Sequence, residues 1–189
     1  AFSLDETATV LADVILAHDD APVLAGYSLG GRIALHLLAQ WPTAFRAAFI
    51  VSAHPGLTSE ADRAARLRED GLWAERLEAL PWSAFWQRWN HRGALATSPP
   101  LPPPVFRPAM RRALTDWSLG TQADLRRQLA RVATPTTWLA GTSDPGFHAL
   151  ALEMAALMPS ARAVGIPGGH RLLSEAPEPV AEALHRALR

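Results

Sequence analysis

The 189-residue chain contains no cysteine. Disulfides, thiolate metal sites and a cysteine nucleophile are all excluded by that one absence. It also has no run approaching the roughly 18 apolar residues that a membrane span needs. Neither sign of charge is in excess, with 18 Lys and Arg against 18 Asp and Glu. No global field is available to draw in nucleic acid or an anionic membrane, so neither is expected as a partner. The opening AFSLDETATV lacks a basic stretch followed by an apolar one. It does not read as a signal peptide, and a cytoplasmic location is the expectation. What remains is 49% hydrophobic and 19% charged, at a length that suits one domain with a real core.

Ser3-Leu4-Asp5-Glu6 fits a capping box, so a helix should start there. Leu4, Val10, Leu11, Val14 and Ile15 predict its buried stripe, ending near His18. A buried strand is predicted at 22–25, a helix from Leu29 to Gln40, and a second buried strand at Ala47 to Val51. Strand, helix, strand at this spacing predicts a parallel βαβ unit. From Leu57 to about Arg131 the pattern is helical, broken by the proline-rich run Ser98 to Pro104, which should be extended. Strands are predicted again at 136–140 and 162–166, with helices at about 147–158 and 177–189. There are no internal repeats. The expected organisation is a core at 1–56, a helical insertion at 57–131 and a return to the core at 132–189. An insertion of that size after a strand usually covers a site as a lid.

Gly26-Tyr27-Ser28-Leu29-Gly30 is G-x-S-x-G, set between a predicted strand and a predicted helix. That setting is what a nucleophile elbow requires: the serine sits on a strained turn, and the glycines two residues either side let the backbone pass closely. A serine nucleophile needs a base, and the base needs a carboxylate to orient it. Asp144 follows the strand at 136–140 and His170 follows the one at 162–166. Both therefore fall at the C-terminal edge of the sheet, where Ser28 also emerges. Asp116 and Asp124 lie in the helical insertion and compete poorly, while His54, just after a strand, is a further candidate to line the site.

The Leu29 amide, next after the nucleophile and at a helix start, is the expected oxyanion donor. A second donor normally comes from a loop after an earlier strand, and the sequence opens on the helix that should precede the nucleophile strand. An N-terminal segment of the same fold is therefore expected to be missing, which would leave the 22–25 strand as an apolar sheet edge. The expected fold class is α/β: a parallel sheet with a helical lid, without its N-terminal strands.

Three further stretches add to the elbow. Gly26 to Gly31 is followed by Arg32; Ser52-Ala53-His54-Pro55-Gly56-Leu57 comes after the next strand; and Arg63-Ala64-Ala65-Arg66 leads to Asp70-Gly71-Leu72-Trp73-Ala74. Together they resemble the MenH branch of the α/β hydrolases, the 2-succinyl-6-hydroxy-2,4-cyclohexadiene-1-carboxylate synthases. The resemblance implies cofactor-free elimination of pyruvate from a cyclohexene polycarboxylate, a small anionic organic substrate. It implies that Ser28, poised by His170 and Asp144, starts a proton abstraction rather than an acylation, with no metal. It also implies substrate-binding roles for Tyr27, Arg32, Arg66 and Trp89. The family's tyrosine after the lid tryptophan is Asn90 here, and a further lid arginine has no clear counterpart, though Arg111 and Arg112 are nearby.

Plainer roles compete at each of these positions. Arg32 could make a surface ion pair, Arg66 could sit on a solvated helix face, and Trp82, Trp86 and Trp89 at i, i+4 and i+7 could simply pack the lid. Two other functions also stay open: a carboxylic-ester or related hydrolase on the same scaffold, or an inactive, fragmentary domain that only binds a partner.

Overall fold

The hydroxyl of Ser3 accepts the Glu6 amide at 3.2 Å, and the Glu6 carboxylate accepts the Ser3 amide at 2.7 Å, in the computed structural model, which describes residues 2–103 and 107–189. The predicted capping box is complete, and helix α1 runs Leu4–Leu16. Its buried face differs from the predicted stripe. Leu4, Ala8 and Ala12 are buried, whereas Val10 and Val14 are 51% and 55% exposed. The cause is packing distance. α1 lies against α2 (Leu29–Gln40), and alanines let two helix backbones approach where valines would hold them apart.

Four strands form one sheet in chain order: β1 (Val23–Tyr27), β2 (Ala47–Val51), β3 (Thr136–Gly141) and β4 (Ala161–Ile166), every neighbouring pair parallel. β2 is AAFIV because it is buried on both faces. Ala48 and Ile50 join the core built with α1, α2 and α7 (Pro145–Leu157); Ala47, Phe49 and Val51 join the one built with α8 (Leu172–Glu175) and α9 (Pro177–Ala187). As expected, β1 is an edge strand among the described residues. Each predicted strand is present: β2 has the predicted bounds, and β1, β3 and β4 are each one residue longer than their patterns indicated. α7 starts earlier than predicted because Asp144 caps it and Pro145 is tolerated at the first helical position. α8 was not foreseen; four residues are too few to show a period.

Between β2 and β3 the described residues hold no strand. α3 (Glu60–Ala79), α4 (Trp82–Asn90), a 3₁₀ turn (Gly93–Thr97), α5 (Arg107–Thr115) and α6 (Arg126–Leu129) follow one another. Trp73, Ala74, Leu77, Phe85 and Leu114 give α3, α4 and α5 a small core of their own. The proline-rich run is non-helical through Pro103; Pro104, the end of the predicted break, lies outside the described residues. No described helix is long and apolar enough to cross a membrane.

The small-residue face of α1 gives a direct contrast. Ala8→Leu should overpack the α1–α2 contact and cost about 1–3 kcal/mol in urea unfolding. Val10→Ser should stay within about 0.5 kcal/mol. Equal losses in the two variants would mean that α1 packs on the other face.

Candidate active site

Ser28 has φ 50 and ψ −112 at the N-cap of α2, a region that a residue with a side chain occupies only under strain. Its amide donates to the Val51 carbonyl at 2.8 Å, and its carbonyl accepts the Arg32 amide at 3.0 Å. The turn closes so tightly that a Cβ on Gly26 would stand 2.5 Å from the Gly30 carbonyl oxygen, and one on Gly31 would stand 2.5 Å from Ala53 Cβ. A Cβ on Gly30 would meet nothing within 4 Å. The expectation of two glycines flanking the serine as close-approach points therefore holds at Gly26 and shifts from Gly30 to Gly31. The helix turns Gly30 outward and Gly31 onto the neighbouring strand end.

The Ser28 Oγ lies 3.1 Å from His170 Nε2, and His170 Nδ1 lies 2.9 Å from Asp144 Oδ2. Asp144 and His170 are both buried. With Nδ1–H directed at the carboxylate, Nε2 is left to accept the serine hydroxyl proton. The rings of Phe147 and Tyr27 flank the imidazole, with centroids at 4.6 Å and 5.8 Å. Leu29 opens α2, so its N–H is one of the first-turn donors that no carbonyl of the helix can satisfy. Asp124 is engaged elsewhere with Arg126 at 2.8 Å, and Asp116 with the Thr115 hydroxyl at 3.0 Å.

A cavity of about 480 Å³ opens over this group, and Tyr27, Ser28, Leu29, Arg32, Arg66, Trp89 and His170 all line it. Asp144 stands behind the imidazole instead. Arg32 is 9% exposed and, among the described residues, makes no surface ion pair. Its Nε donates to Gln122 Oε1 at 2.5 Å, and its terminal nitrogens donate to the carbonyls of Trp117 and Ser118 at 2.9 and 3.1 Å. Burial, with Arg66 adding in the same direction, pulls it down to about 10. It stays charged at neutral pH with neutral acceptors around it. Arg66 is half-buried rather than on a free solvated face, and pairs with Asp70 at 2.8 Å. Trp82 stacks on Phe85 and tilts against Trp86, as packing would have it. Trp89 packs against Phe85 and Trp73 and also reaches the cavity.

Several cavity residues escaped the sequence reading. Asp70 is buried and accepts from Arg66, from Arg92 at 2.5 Å and from the Ser118 hydroxyl at 2.7 Å, so it holds two arginines at the wall. Its place four residues after Arg66 was an available signal. Arg92 had none, and neither had Gln122, which holds Arg32 without lining the cavity itself. Ser52 is buried with φ 47, lines the cavity, and its hydroxyl has no hydrogen-bond partner among the described residues. His54, which the sequence did offer as a candidate, lines the cavity; its Nδ1 accepts the Gly56 amide at 3.0 Å. Burial, then the charges of Arg126, Arg32 and Arg66, pull its imidazole down to about 4. Burial pushes the Tyr27 phenol up to about 12, so it keeps its proton. Among the described residues no cluster of three or more His, Asp or Glu could hold a metal ion.

Compared with known proteins, residues 1–183 match the model of the alpha/beta hydrolase family. A 2-succinyl-6-hydroxy-2,4-cyclohexadiene-1-carboxylate synthase of Salmonella heidelberg is 33% identical over 174 residues, spanning 88% of this chain and 68% of the relative. The enzyme of the same name from Enterobacter sp. is 31% identical over 197 aligned positions, spanning 98% of this chain and 74% of its own. The structure of MenH from S. aureus superposes with a TM-score of 0.88 at 27% identity, over 98% of this chain and 75% of that one. A thermophilic esterase from Thermogutta terrifontis reaches a TM-score of 0.78 at 20% identity, a likeness of fold alone.

Two measurements follow from this geometry. Gly26→Ala should cost about 1–3 kcal/mol in thermal unfolding, while Gly30→Ala should be neutral or slightly stabilising, as alanine is the better helix former. A costly Gly30→Ala would contradict the turn described. His54 has a folded value near 4, below its ordinary 6.5. The unfolded chain then binds more protons between those limits, so stability should fall as pH drops from about 6.5 to about 4. His54→Gln should flatten part of that slope; an unchanged slope would rule out a buried neutral imidazole.

Proposed function

The chain belongs to the alpha/beta hydrolase family, and on that premise we propose that it eliminates pyruvate from a cyclohexene polycarboxylate, as a MenH-like lyase. The observation that carries this reading is the hydrogen-bonded line from Ser28 through His170 to Asp144, at the floor of a cavity walled by Arg32 and Arg66. An elimination needs a base for a carbon-bound proton, donors for the negative charge that develops, and cations for the substrate carboxylates. Each has a candidate here. His170 Nε2 takes the Ser28 hydroxyl proton, and the serine oxygen removes the proton from the ring carbon. The electron pair of that C–H bond moves into the ring as a C=C bond, and the bond from the ring carbon to the enolpyruvate oxygen breaks. The enolate that leaves takes up the proton held on His170, becomes pyruvate, and returns the imidazole to its neutral form. Asp144 keeps the imidazole oriented through Nδ1–H and stabilises its cation.

Charge that builds on the substrate meets the Leu29 N–H at the positive end of α2. Arg32, buried with neutral acceptors, retains a full charge to offer a carboxylate. Tyr27, still protonated, can donate, and Trp89 supplies an apolar wall. The helices of residues 57–131 act as the lid that excludes water, with 1–56 and 132–189 as the core. No step calls for a cofactor.

The same line of side chains beside the Leu29 amide also suits acyl transfer, so a carboxylic-ester hydrolase is the second reading. The two separate cleanly in assay. The lyase should release pyruvate from the cyclohexene substrate, measured by coupled lactate dehydrogenase, and Ser28→Ala or His170→Ala should cost about 10³-fold or more. A loss below about tenfold would remove that residue from the chemistry. Turnover of p-nitrophenyl esters without pyruvate release would move the assignment to the hydrolase. Failure of a fluorophosphonate to label Ser28 would leave only a binding role.

A further inference from the structure

Arg171 follows His170 directly and is 4% exposed, yet the chemistry above gives it no part. A guanidinium keeps its charge at any working pH, and burying it is costly unless its donors are satisfied. Among the described residues, its side-chain hydrogen bonds go to neutral acceptors in one short stretch of chain. Nη1 donates to the carbonyls of Leu95 and Pro99 at 3.1 and 2.9 Å, and Nη2 donates to Asn90 Oδ1 at 2.6 Å. Asn90 is itself buried and fully used. Its Nδ2 donates to the carbonyls of Trp86 and Leu101, both at 3.1 Å, and its Oδ1 also accepts the Leu101 amide at 3.2 Å.

The backbone around His170 is tied to the same stretch. The His170 amide donates to Thr97 Oγ1 at 3.0 Å, and the Arg171 amide donates to Ser98 Oγ at 2.8 Å. From the other side, Glu175 accepts the Gly169 and Arg171 amides at 2.9 and 3.1 Å. Gly169 lies so close to this stretch that a Cβ would stand 2.6 Å from Ser98 Oγ. The loop has little stiffness of its own: it contains two glycines, and Gly168 has φ 146.

We propose that Arg171 is a positioning residue: through Asn90 and the carbonyls of Leu95 and Pro99 it fastens the His170 loop to residues 90–99, the end of α4 and the 3₁₀ turn that follows it. The imidazole then stands within reach of Ser28 only while that segment is in place. The proposal rests on the reading of Ser28 and His170 as the working pair. Its magnitude follows from geometry, since a displacement of about 1 Å at a reacting group can cost about 100-fold. Lysine is no substitute, because one ammonium on a flexible stem does not reproduce a planar fork that spans three acceptors.

The test measures fluorophosphonate labelling of Ser28 in the whole chain, resolved into a maximal rate and a half-saturating probe concentration. Arg171→Ala, Arg171→Lys, Asn90→Ala and the Asn90→Ala/Arg171→Ala pair are compared, with circular dichroism and thermal melts reporting folding. The maximal rate should fall about tenfold or more in each single variant. The half-saturating concentration should stay within about threefold, and the pair should be no slower than its slower single member, because both substitutions break one clamp. A folded Arg171→Ala protein that labels within twofold of the parent overturns the proposal, as does a pair whose losses multiply. If Arg171→Ala does not fold, Asn90→Ala decides alone, since it takes away one of the guanidinium's three hydrogen bonds among the described residues and leaves the cation. Equal labelling of the parent and His170→Ala would instead refute the working pair; failure of the clamp leaves that difference intact.

Discussion

Because all four strands run the same way, every turn that leaves a strand's C-terminal end comes out on one rim of the sheet. Residues separated by 142 and 26 positions thereby become neighbours. The register holds them there. Tyr27 pairs with Val51, Val51 with Leu139, and Gly141 with Ile166, and the bonds continue past the strand ends. The Ser28 amide reaches Val51, the Thr142 amide reaches Ile166 and the Ser143 amide reaches Gly168, at 2.8 to 2.9 Å. A slip of one residue would turn Phe49 and Ile50 to opposite cores, so burial on both faces protects the alignment of the rim.

The strain at Ser28 is sustained by that frame. A positive φ on serine persists only where its surroundings over-determine it, and here the Val51 carbonyl, the Arg32 amide and the crowded Gly26 and Gly31 all act on one turn. Above the rim, charge is arranged by a different rule. Arg32 and Arg171 are both buried with neutral hydrogen-bond partners, one facing the cavity and one in the loop that carries His170. Arg66 and Arg92 instead share Asp70. The cavity wall therefore carries more positive charge than its own acids offset, which suits an anionic ligand.

The parts legible in the sequence were those set by neighbours along the chain. Ser3 and Glu6 announced a cap, AAFIV a strand buried on both faces, and Gly26 to Gly30 a sharp strand-to-helix turn. The parts that were not legible depend on what lies across a contact. Val10 and Val14 matched the helical period of the core, but the closest approach to α2 is taken by Ala8 and Ala12. Gly31 rather than Gly30 meets Ala53 because the start of α2 is rotated that way. Gln122 lies 90 residues from the guanidinium it binds, and no local pattern marks such a partner.

Order along the chain by itself determined the succession of strands, the parallel arrangement and which loops carry a serine, a carboxylate and an imidazole, because propensity, capping and periodicity act over a few residues. Only the tertiary structure decided the distances between those groups, the neutral cradle of Arg32 and the fastening of Arg171 to Asn90. Those follow from packing between distant segments, where the depth of burial and the nearest acceptor, not the neighbouring residue, set what a side chain does.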